Sequence, residues 1–361
     1  MQAIKQKMQN VLGHHEKESG KGKTVLVTGG SGYVAAEVLR AFLARGYHVR
    51  TTVRSDETAE KVKKTHEKYL DQLSFAIVKD IAAPGAHDEA VKGVDGVIHT
   101  ASPFQLNVED NVRDLLDPAI KGTTSVLTSV QKCNPSVQRV VITGSFACMV
   151  DLSKGTRPGY VYTEKDWNPV TYETASKKET DGETAYCASK AFAERAAYDF
   201  VEENKPNFTI ATLDPPMVYG PSLNAISDLS KLNTSSADIY RLMNGSEKTV
   251  PNTAFYAFVD VRDLGEAHVR AYESPAAANE RFAITGSRYT YQQICDIIRR
   301  EFPEKKHLVP EGMPGYDGPE SYALSNEKAR RVLEMEFRDL ETTIKDMVTD
   351  FIATEKRLGK A

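Results

Sequence analysis

TVLVTGGSGYVA, residues 24–35, is the stretch on which the fold turns. Its first five residues form a continuous, mostly β-branched run, as expected of a strand buried on both faces. A glycine-rich turn follows at once. Val34, Val38, Ala41 and Phe42 then recur at three- and four-residue steps, which predicts a helix. That order carries a mechanism. Gly29 permits a tight turn, and Gly32 lets main chain approach a pyrophosphate at the helix N-terminus, where free N–H groups and the dipole favour an anion. Ala35 stands at the third glycine position of the usual fingerprint.

Outward from this stretch, short apolar runs alternate with helix-period segments. HVRTTVR (48–54), FAIVKD (75–80), GVIHT (96–100), RVVITGS (139–145) and TIATLD (209–214) predict five more strands, with helices over 113–132 and 184–204. The pattern predicts an α/β fold: a Rossmann doubly wound parallel sheet with a small, interleaved C-terminal lobe. After Asp214 the alternation fails. Residues 215–253, rich in Ser, Asn and Pro, read as loops and a short helix. RFAIT (281–285) returns to the sheet edge, and amphipathic helices, one over 327–333, close the chain. The expected organisation is a flexible tail over 1–22 and a core over 23–214, rejoined by 254–285. A substrate-binding lobe is expected over 215–253 and 286–361.

Bulk properties narrow the function. At 361 residues with 40% hydrophobic and 27% charged content, the chain can bury a large core and is not disordered. A net charge of -4 gives no electrostatic reason to bind nucleic acid or an anionic membrane. No apolar run reaches the ~18 residues of a membrane span. Cys133, Cys148, Cys187 and Cys295 are scattered without a CxxC pair, so they read as free thiols in a reducing compartment. Residues 1–23 lack the apolar centre of a secretory signal and contain no Arg. The location expected is cytoplasmic. His14-His15 has no carboxylate or Cys cluster beside it and reads as solvated, so no metal is expected.

Four further features carry chemistry. An NAD-selective chain presents Asp or Glu about 20 residues past the glycine turn, at the end of the second strand. This chain presents Val53-Arg54-Ser55, and Arg54 can fork onto a 2′-phosphate that a carboxylate would repel. Asp56 and Glu57 follow it. Tyr186 and Lys190 stand at i and i+4 on one helical face. With sixteen tyrosines, roughly one such spacing arises by chance, so position gives it weight. A neighbouring ammonium is expected to lower the tyrosine pKa. Ser145 ends the fifth strand at the carboxyl edge of the sheet, where ligands bind in such folds. Asp80-Ile81 closes the third strand at the same edge, with Asp80 placed to accept from an adenine amino group. His99 reads as packed, and Phe104, Phe146 and Met217 are candidates for an apolar substrate slot.

Taken together, TGGSGYVA, VRS, KDI, HTASPF, VVITGS, YCASK, DPPMVYGP and YAFVDVRD resemble the extended short-chain dehydrogenase/reductases. They look most similar to the branch of NADPH-dependent methylglyoxal and aldehyde reductases and dihydroflavonol reductases. The likeness runs from about residue 23 to 356. It implies NADPH/NADP+ as cofactor, held by Gly29, Gly30, Ser31, Gly32, Tyr33, Val34, Arg54, Asp80, Ile81, Tyr186, Lys190, Val218 and Ser235. It also implies reduction of a small-molecule aldehyde or ketone. Ser145 would orient the carbonyl, Tyr186 act as general acid and Lys190 bind the nicotinamide ribose. Two positions depart from the branch: Gly144, where a second serine is common, and Thr58, where a Lys assists Arg54. The sequence leaves monomer and homodimer open. The rivals are a nucleotide-sugar epimerase or dehydratase, which needs cations in the C-terminal lobe, and a non-catalytic NADP-binding sensor.

Overall fold

The computed structural model describes residues 19–102 and 108–360. His14-His15 and Phe104 lie outside them. Seven strands form one parallel sheet: β1 (Thr24–Thr28), β2 (His48–Val53), β3 (Leu73–Ile77), β4 (Gly96–His99), β5 (Arg139–Thr143), β6 (Thr209–Asp214) and β7 (Glu280–Ala283). Their order across the sheet is β3-β2-β1-β4-β5-β6-β7, with every pairing parallel. The direction of winding therefore reverses between β1 and β4. That reversal opens a crevice at the carboxyl ends of the strands.

Helices cover both faces. α1 (Tyr33–Ala44) lies on one face, and α5 (Val261–Glu273), named after α2 (Asp56–Thr65), α3 (Asp117–Cys133) and α4 (Gly182–Asn204), packs beside it. Val38, Leu39, Phe42, Leu264 and Ala267 close this layer against Val25, Val27 and Val141. Gly265 permits the close approach of α5 to α1, since a Cβ there would lie 2.9 Å from the Glu37 carbonyl oxygen. On the other face Val126, Leu127 and Val130 of α3 and Ala197 of α4 pack against Leu26, Val97, Val140 and Ile210. Each fully buried Val, Leu, Ile or Phe among them contributes roughly 1.5–3 kcal/mol. Asp181 caps α4, accepting the Thr184 N–H at 2.9 Å, and so starts the helix one turn before Tyr186. A separate core joins Tyr219, Ile239, Leu242 and Phe258 to Ile294 and Ile298 of α6 (Tyr291–Glu301) and to Met347 and Phe351 of α7 (Leu340–Arg357).

Three strand expectations shift. The third strand stops at Ile77, not Asp80, because β2 ends at Val53 and offers one last acceptor, to the Val78 N–H at 2.8 Å. Freed from pairing, Lys79 and Asp80 turn out at the crevice. The fifth stops at Thr143, and Ser145 becomes the cap of a short helical turn, Phe146–Cys148. The stretch after Asp214 holds a strand that sequence periodicity did not signal: Met217–Tyr219 pairs in parallel with Phe258–Asp260.

Candidate active site

The glycine turn is built as the chemistry of its residues dictates. Gly29 has φ +73°, and a Cβ there would meet Ala101 at 3.1 Å from its Cα. Gly32 precedes α1 in extended conformation, with no side-chain cap and no acidic residue in the first turn. The N–H groups and positive dipole end of α1 therefore face the crevice. Gly29, Ser31 and Gly32 line a cavity of about 530 Å³ with Arg54, Lys79, Asp80 and Ile81. Gly29, Gly32, Thr100 and Ser102 also border a second cavity of about 420 Å³, so the two form one trough. Gly30 borders neither cavity. Its place is against Thr51, whose side chain a Cβ would overlap, so its glycine is explained by packing.

The Arg54 end is electrostatically ready for an anion. Arg54 is exposed and, among the described residues, makes no ion pair or hydrogen bond. Arg50 is turned away: its guanidinium donates to the carbonyls of Ala90 at 2.9 Å and Lys92 at 2.6 Å. Thr58 is occupied within the cap of α2, 3.0 Å from the Ser55 hydroxyl. Lys79, which sequence reading passed over, lines the same cavity. Its signal was available in KDI, one residue before Asp80 at a strand end. Asp80 holds its own turn, accepting the Ala82 N–H at 2.9 Å.

The second cavity brings together Ser145, Tyr186 and Lys190, along with Tyr33, Val34, Phe146, Met217, Val218, Ser235 and Phe255. Tyr186 and Ser145 line it together. Burial pushes the Tyr186 hydroxyl up to about 12, while the Ser145 side chain pulls it down. This corrects the expectation that Lys190 would lower it. The Lys190 ammonium points instead to Ser102, donating to its Oγ at 2.6 Å, with Nζ 5.4 Å from the Tyr186 ring centre. Burial brings Lys190 down to about 8. Tyr186 is thus a full proton donor at neutral pH. His99 is a core residue, bonded through Nδ1 to the Thr28 hydroxyl at 2.9 Å, and burial drops it to about 3.

Substrate-side candidates divide. Met217 is half-buried at the cavity wall. Phe146 borders the cavity but is 1% exposed, its ring packed against Tyr162 and Tyr322, so it belongs chiefly to the core. Phe255 lines the cavity and was missed, lying in a stretch without periodicity. Tyr33 is tied by its hydroxyl to the Gly220 carbonyl at 2.7 Å, which joins the turn to the segment after Met217–Tyr219.

The model of the NAD-dependent epimerase/dehydratase family matches residues 25–285, which hold the turn and all three converging side chains. The chain belongs to that family. Within it, a ketoreductase of Aspergillus niger is 40% identical, over 91% of this chain and 98% of the relative. The NADPH-dependent methylglyoxal reductase of Saccharomyces cerevisiae is 33% identical, over 93% of this chain and all of its own length. The crystal structure of yeast methylglyoxal/isovaleraldehyde reductase complexed with NADPH superposes with a TM-score of 0.84 at 32% identity. It covers 94% of this chain and 100% of that one. These family members are extended short-chain dehydrogenase/reductases, and the seven-strand sheet described above is theirs too.

Proposed function

We propose that the chain is an NADPH-dependent carbonyl reductase acting on aldehydes or ketones, with small methylglyoxal-type aldehydes the first class to test. The observation that carries this reading is the convergence of Ser145, Tyr186 and Lys190 on a largely apolar cavity that opens onto the glycine turn. The named activities of the similar reductases support it.

The trough fits the cofactor on its own features: a helix N-terminus with no side-chain cap, a glycine whose Cβ would strike Ala101, and at one end an arginine with no partner among the described residues. Gly29, Ser31, Gly32, Tyr33 and Val34 would hold the pyrophosphate side and Arg54 the 2′-phosphate. Asp80 and Ile81 would flank the adenine. Lys190 and Tyr186 would reach the nicotinamide ribose, and Val218 and Ser235 would cover it. When bound, the cofactor supplies the hydride. The protein supplies the rest. Ser145 donates a hydrogen bond to the carbonyl oxygen, which strengthens as charge develops there. Tyr186, held neutral by burial, delivers its proton to the same oxygen. Met217, Pro216 and Phe255 exclude water and set the shape of the slot. Residues 23–214 with 254–285 would form the cofactor core, and 215–253 with 286–361 the substrate lobe.

The epimerase reading fares less well because the needed cations are engaged. Arg241 pairs with Asp238 and Glu247, Lys231 lies 3.8 Å from Asp228, and Lys248 donates to the Gly245 carbonyl. Among the described residues, Lys190 is the one charged group lining the second cavity. No described helix is long and apolar enough to cross a membrane, and four free cysteines suit the reducing cytoplasm. A panel of aldehydes, ketones and sugar nucleotides, followed both for NADPH oxidation and for new products, tests the reading. Net oxidation of NADPH by aldehydes or ketones is expected, and conversion confined to sugar nucleotides, without net NADPH oxidation, would overturn it.

A further inference from the structure

Behind Ser145 lies a buried polar cluster that the reaction described above does not use. Three successive N–H groups lace the end of β5 to the end of β6. Gly144 donates to the Leu213 carbonyl at 2.7 Å and Phe146 to the Pro215 carbonyl at 2.9 Å. The middle one, Ser145 N–H, donates at 3.1 Å not to main chain but to Oδ1 of Asp214. Asp214 is 0% exposed, and its Oδ2 makes no hydrogen bond. Cys148 and Glu194 stand beside it, the three side chains offering ligand-type atoms all within 4.8 Å of one another.

Charge counting decides the state of Asp214. Arg281, stacked on Trp167 with Cζ 3.6 Å from the ring centre, forks onto both Glu194 oxygens at 2.9 and 3.0 Å. Its one positive charge is matched by that one carboxylate. An ionised Asp214 would be a buried charge with no partner, which costs far more than keeping its proton. Burial first, and the Glu194 charge second, accordingly raise its pKa well above the ordinary carboxylate value. Gly144 completes the arrangement: a Cβ there would fall on Asp214 Oδ1. That accounts for glycine where a second serine was expected.

We propose that Asp214 is a positioning residue for Ser145, anchoring its main chain as a neutral acid, with Gly144 leaving room for that acid. The proposal rests on Ser145 orienting the carbonyl. Asp214→Asn keeps the Oδ1 acceptor and the neutral charge, Asp214→Leu removes both, and Gly144→Ala pushes the carboxyl aside. For Leu and Ala, kcat should fall on the order of 10- to 100-fold at unchanged NADPH affinity, as expected when a reacting group is misplaced. Asn should restore turnover close to the parent's. Gly144→Ala added to Asp214→Ala, which leaves no carboxyl to push aside, should cost nothing beyond Asp214→Ala, because the two act on one contact. Losses that multiply, parental kcat in folded Asp214→Leu, or failure of Asn as deep as that of Leu would each overturn the proposal. If Leu does not fold, Gly144→Ala and Asn decide by the same criteria. Hydrogen exchange of the segment carrying Ser145 reads the anchor without turnover. Faster exchange in Gly144→Ala supports it and unchanged exchange overturns it, whether or not the parent reduces any carbonyl.

Discussion

Tyr186 sits where two effects compete. A nearby cation would favour its phenolate, yet burial wins and Lys190 is spent on Ser102. A donor held protonated at neutral pH suits reduction. Tyr186→Phe should therefore retain NADPH binding and lose roughly 10²–10⁴ in kcat, the range for a general acid. A mutant with nearly parental turnover would sink the assignment. Lys190 gives the pH dependence. Burial depresses it to about 8, so its charge is present below that pH and lost above. If that charge holds the ribose, kcat/KM for NADPH should be level below about 8 and decline beyond it. A profile flat well past that pH would separate Lys190 from cofactor binding.

At the scale of elements, the glycine turn and the end of β2 line one cavity, and the proposal divides the cofactor between them. Among the described residues Arg54 has no ion pair or hydrogen bond, while Arg50 and Thr58 are engaged elsewhere. Arg54→Ala should weaken NADPH by roughly 10- to 150-fold, from the 1.5–3 kcal/mol of a charge-assisted bond, and leave NADH nearly unchanged. Gly29→Ala strains a position at φ +73° and crowds Ala101, so it should weaken both cofactors alike. Titrations of both cofactors against both mutants check the contrast; equal losses in Arg54→Ala would assign it to the fold. The elements themselves were largely legible in the sequence. Strands buried on both faces must be continuous apolar runs, and such runs can be read without coordinates. Their ends were not legible, because where β3 stops depends on how far β2 reaches. The same holds for the site. Tyr186, Lys190 and Ser145 announce themselves by spacing and strand position, whereas the burial that sets their proton affinities does not. Phe255 and the strand Met217–Tyr219 lie in a stretch whose order comes from partners distant in sequence.

Across the whole molecule, the trough is walled by both halves of the chain, and the Tyr33 bond to Gly220 ties one wall to the other. A ligand that binds only the folded form should then stabilise the entire unit. At a hundredfold excess over Kd the gain is about 2.7 kcal/mol. NADPH should raise the Tm in a concentration-dependent way, and at equal concentration Arg54→Ala should forfeit much of that rise. An unchanged Tm with saturating NADPH would deny the trough its ligand. The order of the walls along the chain has a further consequence. Ser145, Tyr186 and Lys190 all precede Asp214, whereas Met217, Ser235 and Phe255 all follow it. On the proposed roles, a gene recombined near that codon would inherit its proton chemistry from one parent and its slot from the other. Divergence among descendants can thus change the guest admitted while the hands that receive it stay the same.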